Sequence, residues 1–387
     1  MAFLKSQKNT AIIIDIGSGS VSLGYASYEK DIPHVLYANR HESPLASSLD
    51  FDSFLKYTLE GVTSLSYELI HHKEFRSFEK LFCYLPTLLH FSDVRKGYKS
   101  FEKEVTVTKG IIQEIASSLV ENFKNETSLS QKELPQGEYV ILEEKVTNVL
   151  LNGYETEDPT GKRAQDIEVS LFISYTSSQI LEKIARVGHN VFHRDNIEFH
   201  TATFAIFDVL RASFASYRNF LAFNLGAEIS EVLVVRNNEI ERVITYPFGY
   251  RTFLRKLASN LSTTLRDAET IASLYIEDST HHKVTERIET ALGKIVGEWA
   301  ELLKGAFKKE VQPRSLPGTL ILLGNPIFIE YHKKWFSSYD AKLDLSNAPL
   351  SVIPFTRENI DGMYTGKSLP KNIEPLLLKA IFSGRLI

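Results

Sequence analysis

Two short hydrophobic hairpins, one in each half of the chain, constrain its fold more than any other feature. The first enters through Ala11-Ile12-Ile13-Ile14-Asp15, turns through Gly17, Ser18, Gly19 and Ser20, and returns through Val21, Leu23 and Tyr25. The second joins runs at 220–223 and 232–235 through Asn224-Leu225-Gly226-Ala227-Glu228, and Asn237-Asn238 then turns into a third run at 240–244. β-Branched runs around such turns read as antiparallel strands. After the first hairpin, Phe51, Phe54, Leu55, Leu59 and Val62 fall near helical spacing, and 80–84 is again strand-like. Strand, hairpin, helix and strand predict an α/β layer, and 387 residues leave room for two or three domains.

Between the hairpins, the basic stretch 92–104, with Arg95, Lys96, Lys99 and Lys103, predicts a solvated linker. Beyond it, Ile112, Ile115, Leu119 and Phe123 mark a helix face, 127–138 a polar loop, and 139–151 a strand. Asn152-Gly153 and Asp158-Pro159-Thr160-Gly161 are turns, and Ile167, Val169, Leu171 and Ile173 alternate as in a half-buried strand. Later come a helix at 201–215, one helix carrying Leu254, Leu257, Leu261 and Leu265, a longer one carrying Ile288 to Leu302, a buried strand at 319–323, and a closing helix at 375–387.

Composition removes several function classes. With 43% hydrophobic and 24% charged residues the chain is neither disordered nor collagenous nor a coiled coil. A net charge of -4 supplies no basic field for nucleic acid. The single cysteine, Cys83, forms no internal disulfide and no cysteine-based zinc site, which fits a reducing cytosol. The first ten residues lack the apolar core of a signal peptide, and the apolar stretch at 319–329 is about half of the ~20 residues a membrane span needs. His71-His72 and His281-His282 are neighbours rather than an i, i+4 metal pair, and no Gly-X-Ser-X-Gly nucleophile elbow occurs.

Two such hairpins, followed by a strand ending in glycine at Leu322-Leu323-Gly324-Asn325, resemble the two phosphate loops and the adenosine loop of the actin, Hsp70 and sugar kinase superfamily. Asn152-Gly153-Tyr154, the turn at 158–162 and the alternating strand 167–173 resemble the extra (SHS2-like) subdomain of the bacterial FtsA/PilM branch, and Pro247-Phe248-Gly249 with Asp267-Ala268-Glu269 resembles its second lobe. The resemblance implies an actin-like ATPase (ribonuclease H-like) two-lobed α/β fold with an FtsA-type inserted subdomain. Its expected boundaries are a first lobe at 1–90, the insert at 91–176, the return of the first lobe at 177–213 and a second lobe at 214–387.

For function, the resemblance implies a cytoplasmic scaffold at the inner face of the cell membrane. It would either self-associate as a filament or dimer and recruit the tubulin-like cell-division protein to the septum, or serve type IV pilus assembly by holding the tail of a membrane protein. An active ATPase or kinase is the enzymatic alternative. ATP with Mg²⁺ would be held by Asp15, Gly17, Ser18, Gly19, Ser20, Gly226, Ser230, Glu269, Gly324 and Asn325, with Asp15 also serving the metal's water shell; no catalytic residue is implied. Backbone N–H groups and hydroxyls in such loops are what phosphate oxygens require.

The second loop departs from that chemistry. Where the superfamily has Asp-X-Gly-Gly-Gly-Thr-Thr-Asp, this chain has Asn224, Ala227, Glu228 and Ile229 in place of a carboxylate, two glycines and a hydroxyl. Glu228 brings a negative charge to the phosphate position; at an effective dielectric near 20, like charges at about 4 Å cost on the order of 4 kcal/mol. The expectation is a degenerate site with weak nucleotide binding, little ATPase activity, and a function exerted through protein contacts. The 375–387 segment has only Lys379 and Arg385 as basic residues, so it is expected to close the fold rather than to lie on a membrane.

Overall fold

The computed structural model describes residues 9–46, 50–130, 138–156, 158–279, 282–310, 316–343 and 350–387. The first sheet contains β1 (Asn9–Ile16), β2 (Ser20–Glu29), β3 (Ile32–Glu42), β4 (Lys80–Leu85), β9 (Glu198–Thr201) and β15 (Thr365–Gly366), in the order β15-β3-β2-β1-β4-β9. The second contains β10 (Phe220–Leu225), β11 (Ser230–Arg236), β12 (Glu239–Tyr246), β13 (Thr319–Gly324) and β14 (Ser351–Pro354), in the order β12-β11-β10-β13-β14. The two sheets repeat one plan. Each hairpin is antiparallel, and its first strand pairs in parallel with the strand that follows a helical excursion, β1 with β4 and β10 with β13.

The period of two along each strand sorts its residues onto two faces. Ile12, Ile14 and Ile16 of β1 join Leu81 and Cys83 of β4 in an outer core under α1 (Phe51–Ile70) and α3 (Ser178–Phe192). Leu221, Phe223, Val232 and Val234 join the outer core of the second lobe, under α5 (Tyr250–Leu261), α6 (Leu265–Ile276), α7 (His282–Glu310) and α8 (Pro326–Leu343). The opposite faces meet in a shared core: Ala11, Ile13, Phe82 and Tyr84 from one sheet, Phe220, Ala222, Leu233 and Val235 from the other. Between them lie α4 (Ala202–Ser213) and α9 (Glu374–Gly384). The result is five layers, helices outside each sheet and helices between them.

Local chemistry sets several boundaries. Asp50 caps α1 by accepting from the Ser53 N–H at 2.8 Å, and Thr264 caps α6 by accepting from Asp267 at 3.1 Å. Ser262 adopts a left-handed conformation at φ 54°, so the leucine run that predicts one helix through Leu265 is broken into α5 and α6.

The segment from 91 to 177 forms a separate four-stranded sheet, β5-β8-β6-β7, made of β5 (Phe91–Thr106), β6 (Tyr139–Leu151), β7 (Tyr154–Glu155) and β8 (Arg163–Ser177), with α2 (Lys109–Ser130) packed on it. Two expectations are corrected here. The basic stretch at 92–104 is not a linker but part of the edge strand β5, because its charges are paired within the subdomain: Arg95 with Asp93 and with Glu126 of α2, Lys96 with Glu168 of β8, Lys99 with Glu114 of α2. The polar loop begins later than expected, since α2 runs to Ser130; 131–137 lie outside the described residues.

This sheet abuts β12 of the second lobe. There Asn148 Nδ2 donates to Glu239, and Glu155 pairs with Arg218. Burial pushes the Glu239 carboxyl up to about 7; Lys96 opposes the shift, while Glu155 and Glu168 add to it. A carboxyl that holds its proton more tightly folded than unfolded contributes stability at low pH. That contribution is full below the unfolded value of 4.5 and is lost as pH rises through about 7. Urea midpoints should therefore fall between pH 5 and pH 8, and Glu239→Gln should flatten the fall; an unchanged slope in the variant would remove Glu239 as its source.

Candidate functional site

The two hairpin tips meet between the lobes. Strand parity sends Asp15, Asn224 and Glu231 to the inter-lobe side, in step with Ile13, Ala222 and Leu233. Asn224 lies opposite Glu231 on β11 and beside Leu323 on β13. In the first tip the Gly17 N–H donates to the Ser20 carbonyl at 2.8 Å and closes the turn. A methyl group on Gly19 would overlap the Ala227 Cβ, so glycine at this position is what lets the two tips touch.

The donors of the second tip are engaged within the protein. The N–H groups of Ala227 and Glu228 both donate to Ser18 Oγ, at 2.9 and 3.1 Å. At the start of α5, the Tyr250 N–H donates to the Gly226 carbonyl at 3.0 Å and the Arg251 N–H to that of Ala227 at 2.8 Å. Ser230, fully buried, donates to the Phe248 carbonyl at 2.7 Å. Arg251 extends its side chain into the first lobe, where the guanidinium donates to the carbonyls of Gly19 (2.9 Å), Ser43 (2.6 Å) and Pro44 (3.0 Å). Burial lowers its pKa, with Glu228 and Glu42 acting in the opposite sense.

Glu228 also finds a partner. Its carboxylate is paired with Arg255, which keeps its charge local, where the sequence alone suggests an uncompensated repulsion. Asp15 is paired with Lys379 of α9, whose Nζ lies 3.4 Å from Asp15 Oδ1 with both side chains buried. Gly324 takes φ 142°, and a Cβ there would run into the Leu225 carbonyl. Asn325 is a helix cap: Oδ1 accepts from the N–H groups of Ile327 (2.9 Å) and Phe328 (3.3 Å) at the start of α8. Glu269 is exposed on α6 and acts electrostatically on Tyr250 and Arg251.

The structure thus brings Asp15, Gly17, Ser18, Gly19, Ser20, Gly226 and Ser230 together around the tips, and leaves Gly324, Asn325 and Glu269 at its second-lobe margin. With the Ala227 and Glu228 N–H groups taken by Ser18 and the tips in contact, the arrangement is a poor fit for a magnesium-bound triphosphate, whose oxygens need those same N–H groups. Three residues that close it were not singled out as site residues in the sequence. Arg251 reaches across the lobes, Lys379 pairs with Asp15 from α9, and Glu231 sits in a valine-rich strand. The signal for Lys379 is a lone charge inside Leu376-Leu377-Leu378-Lys379-Ala380-Ile381-Phe382.

A second concavity, a groove of about 760 Å³, runs where the inserted sheet faces β12 and α7. Phe91 stacks on Tyr175 at 5.2 Å in its wall, and Phe123 meets the same ring edge-on. Among the described residues no helix is long and apolar enough to cross a membrane.

No protein-family model matches the sequence, and no curated protein matches it significantly. Solved structures do. A chain of the PilM-PilN type IV pilus biogenesis complex superposes with a TM-score of 0.61 at 15% identity, covering 97% of this chain and 98% of that one. The ethanolamine utilization protein EutJ from Carboxydothermus hydrogenoformans gives 0.47 at 11% identity over 97% of this chain and 89% of that one. A Bacteroides thetaiotaomicron protein of actin-like ATPase fold and unknown function gives 0.43 at 8% identity over 99% of both chains. The repeated sheets, the inter-lobe helices and the full-length superposition establish that this chain has the actin-like ATPase fold, two α/β lobes with an additional subdomain inserted in the first.

Proposed function

We propose that the protein is an actin-fold scaffold that works without nucleotide, holding the tail of a membrane protein at the cytoplasmic face in the manner of a type IV pilus assembly component. The observation that carries this reading is the closure of the phosphate loops on each other: Ser18 takes the N–H groups of Ala227 and Glu228, and Arg251 ties the second loop to the first. Full-length likeness to a chain of the PilM-PilN complex supports the pilus branch. The burial of α9 from Leu376 to Gly384 supports membrane contact through a protein partner rather than through that helix.

Isothermal calorimetry with ATP and Mg²⁺ should give no heat at micromolar concentrations, and phosphate release should match the buffer. Micromolar binding with steady turnover would sink the nucleotide-free reading. In a second titration, synthetic tails of about 15 residues, long enough for an extended segment to span ~50 Å, would be taken from the membrane proteins encoded beside this chain. One of them should bind. Co-sedimentation with the tubulin-like division protein, with every tail silent, would instead support the division branch.

A further inference from the structure

Two sheet edges face each other across the groove beside the inserted subdomain. Among the described residues β5 pairs with β8 alone and β12 with β11 alone, yet β5 and β12 lie side by side without forming a ladder. Each end strand therefore keeps a row of unpaired main-chain N–H and C=O groups on its open side. The 760 Å³ groove opens where 91–93 of β5 face 243–247 at the end of β12. Its aromatic wall is accessible: Phe91 is 47% exposed, and Tyr175, on which it stacks, also takes Tyr139 edge-on at 5.6 Å. Its floor is α7, where Gly305 lies beside Leu302 and Ala306. A Cβ on Gly305 would meet nothing within 4 Å, so a helix position that alanine would steady is left bare under the groove.

A second cavity of about 820 Å³ shares Asp93 and Lys309 with the first and continues it toward Asn237 and Tyr98. The carboxylates around the two are compensated: Asp93 by Arg95, Glu155 by Arg218, Glu241 by Arg236 and Glu301 by Lys304, while Glu239 accepts from Asn148. Lys309, exposed at the junction, pairs with no carboxylate among the described residues. The uncompensated charge at the junction is thus positive, and its complement is an acid on the ligand. We propose that the groove takes an extended acidic segment of a protein partner, laid as an added strand along β12, with an apolar side chain between the aromatic wall and Leu302 and a carboxylate on Lys309. The proposal rests on the reading of the chain as the holder of a membrane-protein tail, and names where that tail lies.

Fluorescence anisotropy of the full chain tests this with two sets of peptides, the synthetic tails and acidic peptides of the same length from unrelated soluble proteins. Gly305→Trp fills the groove from open space, and Lys309→Glu reverses an exposed charge, so neither puts folding at stake. A tail that binds the native chain should bind Gly305→Trp about tenfold or more weakly, and Lys309→Glu about fivefold or more weakly at low salt. Exchanging the tail's acid for lysine should restore binding to Lys309→Glu. Gly293→Trp, on α7 outside the groove and equally unobstructed, should bind as the native chain does. N-methylation along the peptide should weaken binding at every second residue, and a loss without that period overturns the added strand. A tail that binds native, Gly305→Trp and Lys309→Glu chains alike overturns the groove and leaves the tail-holding reading standing. Silent tails with an unrelated acidic peptide that binds native but not Gly305→Trp protein overturn the tail reading and support the groove; silence of both sets overturns both.

Discussion

Arg251→Ala should destabilise the protein by about 3 kcal/mol or more and loosen the contact between the two phosphate-type loops. The guanidinium is largely buried and donates to three carbonyls of the first lobe, those of Gly19, Ser43 and Pro44. Hydrogen bonds to charged groups contribute about 1.5–3 kcal/mol each. The simple sum, about 4.5 kcal/mol at its lower end, is not reached, because opening lets water reach the freed carbonyls, so about 3 kcal/mol is the sound expectation. Arg251→Lys keeps the charge but replaces a planar fork by a point donor, and should recover less than half of the loss. Urea unfolding gives the magnitude, and amide exchange at 17–20 and 226–228 gives the place. A loss below about 1 kcal/mol would mean that the Ser18 hydroxyl and the apolar core hold the tips without it.

The second large effect concerns α9. All of its residues from Leu376 to Gly384 are buried, and Phe382 meets Tyr84 at 6.1 Å, His200 at 5.9 Å and Phe204 at 5.9 Å. Phe382→Ala should cost about 3–5 kcal/mol, the usual range for emptying a buried aromatic site. Deleting 375–387 should do more. It uncovers the inner face of β1 and β2 around Ile13 and Ala26 and strands Asp15 without its lysine, so the truncated chain should bind a hydrophobic dye and lose its cooperative transition. A truncated protein that stays folded and merely stops pelleting with liposomes would show that the helix serves the membrane instead.

The architecture was largely legible because it rests on patterns with short reach. Ala11 to Ile16 and Phe220 to Leu225 alternate between two cores, and that alternation is written in the residues themselves. The basic edge strand was misread because Lys96 and Lys99 look solvated until Glu168 and Glu114 are placed beside them by folding. The site followed the same rule. Its glycines and serines could be found, but their state could not, since whether Ser18 faces a phosphate or the Ala227 N–H depends on how closely two lobes approach. Lys379 is the extreme case, a partner for Asp15 from the opposite end of the chain.

The position of α9 also dictates an order of events during synthesis. Its residues pack on β1, β2 and β3, strands that leave the ribosome well before α9 is made. Until it arrives, the inner face around Ala11, Ile13 and Ala26 is left without its cover, and such surface is prone to aggregate while it waits. The second lobe, by contrast, has its outer core of Trp299, Phe328 and Trp335 within one continuous stretch of chain. The first lobe, made before the second, thus waits longer for its covering helix, and a nascent-chain chaperone would find its longest-lived target there.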